Sequence, residues 1–412
     1  MREFLRNQRA DILLLKGFAV FSLLFPAFYS PYTDVYQSAL YSGFSWAYLL
    51  LAVYMGLRLW NIRKERKRLP LQLGIYFTAL LLYNLLSFYF NSQYLHWYWE
   101  QINNTVAFLF LGVLVYSEVK LEEYGNVVRF LIHCIMISNI CSIIYYFLGY
   151  TRLLICNNQF VFYELPADFY ETRHYWIYCH KSEYALMLVA FAALFVAYRD
   201  KFKNRITYVL SLLVLLLGLY LTHSWTGFVG VFLIFLGGMA DKVNWKELRI
   251  QKKYLAVGAA FIAGAGFVGG KIFSERNLLT LGSRTEIWPA ALKVIREYPQ
   301  GWGMRFGESA FWVTDTFMTT NAHNVFLNQI LRFSIPVGVC FTILFLGIVI
   351  YSLWKAKSFL AAGMWAAILL LMNMDYALMS NQMGMLFLIS YLVCFRVRGE
   401  LKVFSNQISK QQ

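Results

Sequence analysis

Apolar residues fall along this chain in blocks of about 20, the length a helix needs to cross a hydrocarbon core. The blocks predict twelve transmembrane helices, at about 11–29, 38–60, 70–90, 103–118, 127–150, 182–198, 206–222, 224–240, 254–274, 336–354, 359–376 and 382–396. Clusters of Lys and Arg stand at every second connection: Arg2/Arg6/Arg9, Arg63–Arg68, Arg199–Arg205, Lys242–Lys253, Lys355/Lys357 and Arg396/Arg398/Lys402. Because basic residues mark cytoplasmic connections, both termini are predicted inside. The pattern reads as an all-α integral membrane protein. Residues 1–274 hold spans one to nine, 275–335 form a large extracytoplasmic loop, and 336–412 hold the last three spans and a cytoplasmic tail.

Composition narrows the class. The chain has 412 residues, 59% hydrophobic and 14% charged, with a mean hydropathy of +0.51. Soluble domains carry about 25% charged residues, so a soluble enzyme, a disordered chain and a nucleic-acid module are excluded despite a net charge of +15. On the predicted topology 27 of the 37 basic residues face inward, so the basicity reports orientation and not an anionic partner. Six Cys make no disulfide scaffold, and no CxxC or His/Cys ligand spacing occurs. No small-residue cleavage site follows the first apolar run, so no cleavable signal peptide is expected. No internal repeat stands out.

Ten basic residues face outward against the positive-inside bias: Arg152, Arg173, Lys181, Lys271, Arg276, Arg284, Lys293, Arg296, Arg305 and Arg332. Lys271 and Arg276 read as snorkelling residues beside span nine; the rest are candidates for function. Two outer connections are long, 151–181 and 275–335, and long ordered loops are usually functional. The aromatic stretch Phe88–Gln101 reads as an interfacial belt in preference to a sugar-stacking platform. In the larger loop, Ser283-Arg284-Thr285-Glu286 has the form of a capping box, followed by Ile287, Ala291, Val294 and Ile295 at helical spacing. Pro299-Gln300-Gly301 ends that helix. A second helix is predicted from near Asn321 to Ser334, carrying His323, Leu327, Ile330 and Leu331 on one face. For Cys156 and Cys179, a disulfide and two free thiols are both open.

Chemistry concentrates in the same loop. No phosphate-binding loop, nucleophile elbow, zinc-protease motif or outer D-x-D pair is present, so neither metal nor cofactor is expected. The clusters there are Arg284…Arg296…Arg305 and Asn321-Ala322-His323-Asn324. Guanidinium groups grip phosphate oxygens in pairs and stabilise charge developing on a leaving diphosphate. An imidazole can accept the proton of an attacking hydroxyl. Together these suit transfer from a lipid diphosphate, although a lone His at a membrane rim is more often only a hydrogen-bonded interfacial residue.

The motifs resemble the O-antigen ligase/polymerase family. The resemblance rests on Ser283-Arg284-Thr285-Glu286-Ile287-Trp288-Pro289, then Pro299 and Gly301-Trp302-Gly303, then Ala322-His323-Asn324-Val325-Phe326-Leu327 leading to Pro336. It extends to twelve spans with a large late outer loop. Leu221-Thr222-His223-Ser224-Trp225-Thr226-Gly227 is similar to the family's T-x-S-R-x-G helix start, with Trp225 where the family has Arg. The family's Gly eleven residues after the His is Ser334, with Gly338 nearby. Tyr178-Cys179-His180-Lys181-Ser182 is loosely like its H-P-N motif.

The resemblance implies a GT-C-like, metal-independent, inverting glycosyltransferase in the bacterial inner membrane. Its donor would be an oligosaccharide on undecaprenyl diphosphate, and a chain-length regulator protein is a conceivable partner. His323 would be the base and Arg284 the diphosphate clamp, with Arg305, Arg173 and Lys181 as further phosphate-binding candidates. Trp288 reads as a packing residue. A Wzy-type polymerase of repeat units for O-antigen, capsule or exopolysaccharide is the first expectation, and a ligase passing the glycan to lipid A core is the second. A twelve-span lipid-glycan flippase or transporter is the rival class. Such proteins commonly bind at the bilayer midplane, where this chain offers few ionisable groups; His133 and Asp375, at the edge of span eleven, are examples. His133 reads as an interior hydrogen-bonded residue.

Overall fold

The computed structural model describes residues 10–26, 46–64, 70–92, 95–116, 121–156, 159–165, 173–178, 180–242, 283–302, 310–319, 321–375, 377–378 and 382–394. Of these, 79% are helical. In chain order the elements are α1 (Ala10–Leu24), α2 (Trp46–Lys64), α3 (Leu71–Asn91), α4 (Leu95–Tyr116), α5 (Leu121–Phe147), β1 (Tyr150–Cys156), β2 (Gln159–Glu164), α6 (Lys181–Ala197), α7 (Arg205–Leu221) and α8 (Trp225–Ala240). They continue with α9 (Arg284–Glu297), β3 (Phe311–Thr314), β4 (Phe317–Thr319), α10 (Val325–Phe333), α11 (Ile335–Ala356), α12 (Phe359–Met374) and α13 (Gln382–Cys394).

The structure corrects the expected architecture in two respects. Three described helices, not twelve, are long and apolar enough to cross a membrane: Leu71–Asn91, Gly125–Phe147 and Ile335–Ala356. Five more apolar helices are shorter, at 10–17 residues; 16 residues rise only about 24 Å, short of a core about 30 Å thick. The predicted span 254–274 lies outside the described residues. The fold is also not wholly helical, because β1 pairs antiparallel with β2 and β3 with β4, making a hairpin in each of the two long loops. His133 is exposed on α5 rather than interior. The side chain of Cys156 and all of Cys179 lie outside the described residues.

The chain divides into two compact units. The first comprises Met1–Tyr184, Lys201–Thr222 and Leu378–Tyr391. Its apolar interior includes Phe18, Leu51, Tyr54, Phe110 and Leu131, all with at most 1% of their surface exposed. A buried ion pair, Arg58 Nη1 to Asp11 Oδ2 at 3.1 Å, ties α2 to α1. The C-terminal half of α5 carries a polar stripe, Ser138, Asn139 and Ser142, at helical spacing. That stripe holds the segment 174–178: Trp176 Nε1 donates to Ser138 Oγ at 2.9 Å, and Ser142 Oγ lies 2.7 Å from His174 Nε2. The Tyr184 hydroxyl donates to Asn139 Oδ1 at 2.8 Å and lies 2.8 Å from Ser142 Oγ. His174 is fully buried there. Burial pulls its pKa from 6.5 down to about 4, against the smaller upward pull of Thr151 and Ser142, so the ring is neutral at pH 7.

The second unit comprises Ala185–Asp200, His223–Ala377 and Leu392–Gln412. Its framework is the antiparallel pair α8 and α12. At one end Asp241, which caps the C-terminus of α8, accepts from Ser358 Oγ at 2.5 Å and from Phe359 N at 2.7 Å and Leu360 N at 3.0 Å. A carboxylate there satisfies orphan donors and the positive end of the α12 dipole. The helices touch through Gly237, opposite Phe359, and Gly363, opposite Leu233, where no Cβ would fit; small residues let apolar helices approach closely. The N-terminus of α8 therefore lies beside the C-terminus of α12.

Candidate functional site

The site is built on the C-terminal end of α12 by the loop 283–335. The α9 helix forms as its spacing predicts, burying Ile287, Ala291 and Ile295 against Phe311, Ala322 and Leu331, with Val294 packed beside them. Its start departs from the capping-box expectation. Ser283 is the N-cap residue but sits at φ 67° with no side-chain cap bond, so that serine turns the chain rather than capping it. Trp288 packs on this cluster, as expected, and also donates Nε1 to Ala322 O at 3.0 Å. That bond reaches from α9 to the residue before His323.

The predicted second helix starts four residues late. Its first residue is Val325, and Asn324 caps it by accepting from Leu327 N at 3.0 Å. His323 therefore precedes the helix, at φ 47°, a left-handed conformation uncommon for a residue with a Cβ. Neighbouring amides fix it: Asn321 Oδ1 accepts from His323 N at 2.9 Å, and Asn328 Oδ1 accepts from Ala322 N at 2.8 Å. Asn324 Nδ2 also donates to Asn373 Oδ1 at 3.0 Å, fastening the turn to α12. Backbone strain held by its surroundings is characteristic of functional positions.

Two candidate residues meet at the end of α12. His323 Nδ1 lies 3.0 Å from Asp375 Oδ1. An ionised carboxylate only accepts, so Nδ1 is the donor in this pair, and in the neutral ring that tautomer keeps the lone pair on Nε2. Arg284 donates Nε to Met374 O at 2.5 Å, satisfying one of the carbonyls that a helix C-terminus leaves over. His323 and Arg284, 39 residues apart in the chain, are thus fastened to adjacent residues. Arg284 is buried, whereas the His323 side chain keeps 31% of its surface. A guanidinium can hold an anionic group and an accessible imidazole can take a proton, and here the two are anchored to consecutive residues.

The remaining candidates are distributed otherwise. Arg305 lies outside the described residues. Arg173, exposed, and Lys181, the buried first residue of α6, belong to the first unit. Trp225, at the position where the resembled family has Arg, opens α8 behind Ser224, whose Oγ accepts from Gly227 N. Ser334 stands at φ 136°, ψ 162°, backbone space that favours glycine, and its hydroxyl accepts from Val337 N at 3.3 Å to cap α11. Among the described residues no group of three His, Cys, Asp or Glu could hold a metal ion. The component that sequence reasoning left without a role is Asp375, together with Asn373, Asn321 and Asn328. Compared with known proteins, the chain matches no family model and no curated protein.

Proposed function

We propose that the protein is a Wzy-type polymerase that joins oligosaccharide repeat units carried on undecaprenyl diphosphate, by inverting and metal-independent glycosyl transfer. The observation that carries this reading is the His323–Asp375 pair with Arg284 anchored one residue away. Asp375 holds the imidazole in the tautomer whose Nε2 can act as base. In the reaction, the hydroxyl oxygen of the acceptor sugar attacks the anomeric carbon of the donor and a new C–O bond forms. The bond from that carbon to the diphosphate oxygen breaks with its electron pair, and undecaprenyl diphosphate leaves. The hydroxyl proton passes to His323 Nε2. Arg284 stabilises the charge that builds on the leaving diphosphate.

In this reading the chain is a multi-pass protein of the bacterial inner membrane with both termini cytoplasmic. The loop 275–335 then faces outward, where lipid-linked repeat units would be joined. The test is direct. Purified protein incubated with one defined lipid-linked repeat unit should release undecaprenyl diphosphate and yield dimers and longer lipid-linked oligomers with inverted anomeric configuration. If it extends nothing but transfers the glycan to a lipid A core acceptor, the same site serves a ligase. If it moves the lipid between leaflets with no new glycosidic bond, the enzymatic reading fails.

A further inference from the structure

The loop between α5 and α6 contains a feature that the glycosyl-transfer reading does not use. In β1–β2, directly paired residues share a face, and the pairs Leu153↔Phe162 and Ile155↔Phe160 make an apolar patch on one face, with the pair Tyr150↔Glu164 at its end nearest α5. Phe160 and Phe162 are 58% and 56% exposed. On the opposite face Leu154 is fully buried and paired to the half-buried Val161. An exposed apolar patch on a two-stranded ribbon marks a contact surface.

Its position says which partner. The hairpin begins three residues after Phe147, the end of the spanning segment Gly125–Phe147. It is folded back along that segment rather than projected away from it. Tyr145, inside the span, donates its hydroxyl to Arg152 O at 3.0 Å, and its ring lies 6.4 Å from that of Phe162. The segment 174–178, bridged to β1 through Arg152 and Trp176, is held deeper still. Leu153 N donates to Trp176 O at 2.8 Å, and the Trp176 ring reaches Ser138, nine residues or about 13 Å before the end of α5. The exposed apolar face is also continuous in chain with Phe147 and Leu148, 71% and 69% exposed. Arg152 lies over the rings of Tyr163 and Tyr175, 4.2 Å and 5.3 Å from their centroids. Amphipathic rings and a stacked guanidinium are the side chains suited to a headgroup layer. An open sheet edge is not tolerated in hydrocarbon, which sets the ribbon at the boundary and not in the core.

We propose that the β1–β2 hairpin is a lipid-contacting element, seated in the headgroup layer with Phe160 and Phe162 against the acyl chains of the bilayer. The test uses the full-length protein in nanodiscs of phosphatidylcholine and phosphatidylglycerol, with benzoylphenylalanine replacing Phe160, Phe162 or, as a control, the exposed Asp315 on the β3–β4 turn. Illumination should give phospholipid adducts at 160 and 162 and none at 315. In the unmodified chain, a carbene reagent dissolved in the bilayer should label peptide 153–162. Adducts joining two copies of the chain, loss of the lipid adducts on adding free oligosaccharide, or absence of lipid labelling by both methods would each overturn the proposal.

Discussion

Acid should loosen the attachment of the 174–178 segment to α5, and His174 is the group through which it acts. The buried ring has a pKa of about 4, against about 6.5 for an exposed imidazole. The unfolded chain therefore binds the proton first. Stability contributed by the neutral ring is complete above pH 6.5 and is lost as pH falls from there toward 4. Linkage gives a loss of about 2 kcal/mol at pH 5 and about 3 kcal/mol at pH 4, relative to pH 7. The perturbation that isolates the effect is His174→Gln, which keeps a polar partner for Ser142 and does not titrate. Thermal unfolding of both proteins in the same detergent, from pH 7.5 to pH 4, measures it. The wild type should lose the greater part of its advantage over His174→Gln across that range. Parallel curves for the two proteins would refute the assignment.

Other consequences follow from the same geometry. Asp375→Asn should lower the transfer rate by about 10- to 100-fold, the worth of one charge-assisted hydrogen bond, in a turnover assay with donor binding unchanged. Gly338→Ala should lower thermal stability by about 1–3 kcal/mol, because a Cβ there would stand 2.6 Å from Ile330 Cα and push α10 off α11. Asp241→Ala should cost about 1–2 kcal/mol by uncapping α12, measured as a lower unfolding temperature.

Much of this was legible in the apolar pattern, and the parts that were not have identifiable causes. Helices α3 and α11 fall within two residues of their predicted positions, because long apolar runs carry both type and length, whereas α5 starts six residues before its predicted start, in the polar stretch that precedes the apolar run. The α9 face of Ile287, Ala291 and Ile295 was legible for the same reason. The span count was not, since an apolar run of 16 residues looks like a span but makes a helix too short to be one unaided. The first hairpin had a signal that went unused. Tyr-Thr-Arg-Leu-Leu-Ile and Gln-Phe-Val-Phe-Tyr flank Asn157-Asn158, strand-length runs around a turn pair. Asp375 was visible only as an acid at the edge of an apolar run, since its pairing with His323 spans 52 residues and leaves no local trace. Ser334 shows the reverse case: the backbone geometry explains why a glycine would suit a position where this sequence keeps a serine and turns its hydroxyl into a cap.

The central claim is that His323 takes a proton from an acceptor hydroxyl while Arg284 steadies a leaving diphosphate. Its most direct test is a single-turnover assay of the wild type and His323→Ala with an undecaprenyl-diphosphate-linked repeat unit, scoring donor binding and glycosidic bond formation separately. The account predicts that His323→Ala stays folded and binds the donor as the wild type does, yet forms no oligomer. Near wild-type extension by His323→Ala would contradict it.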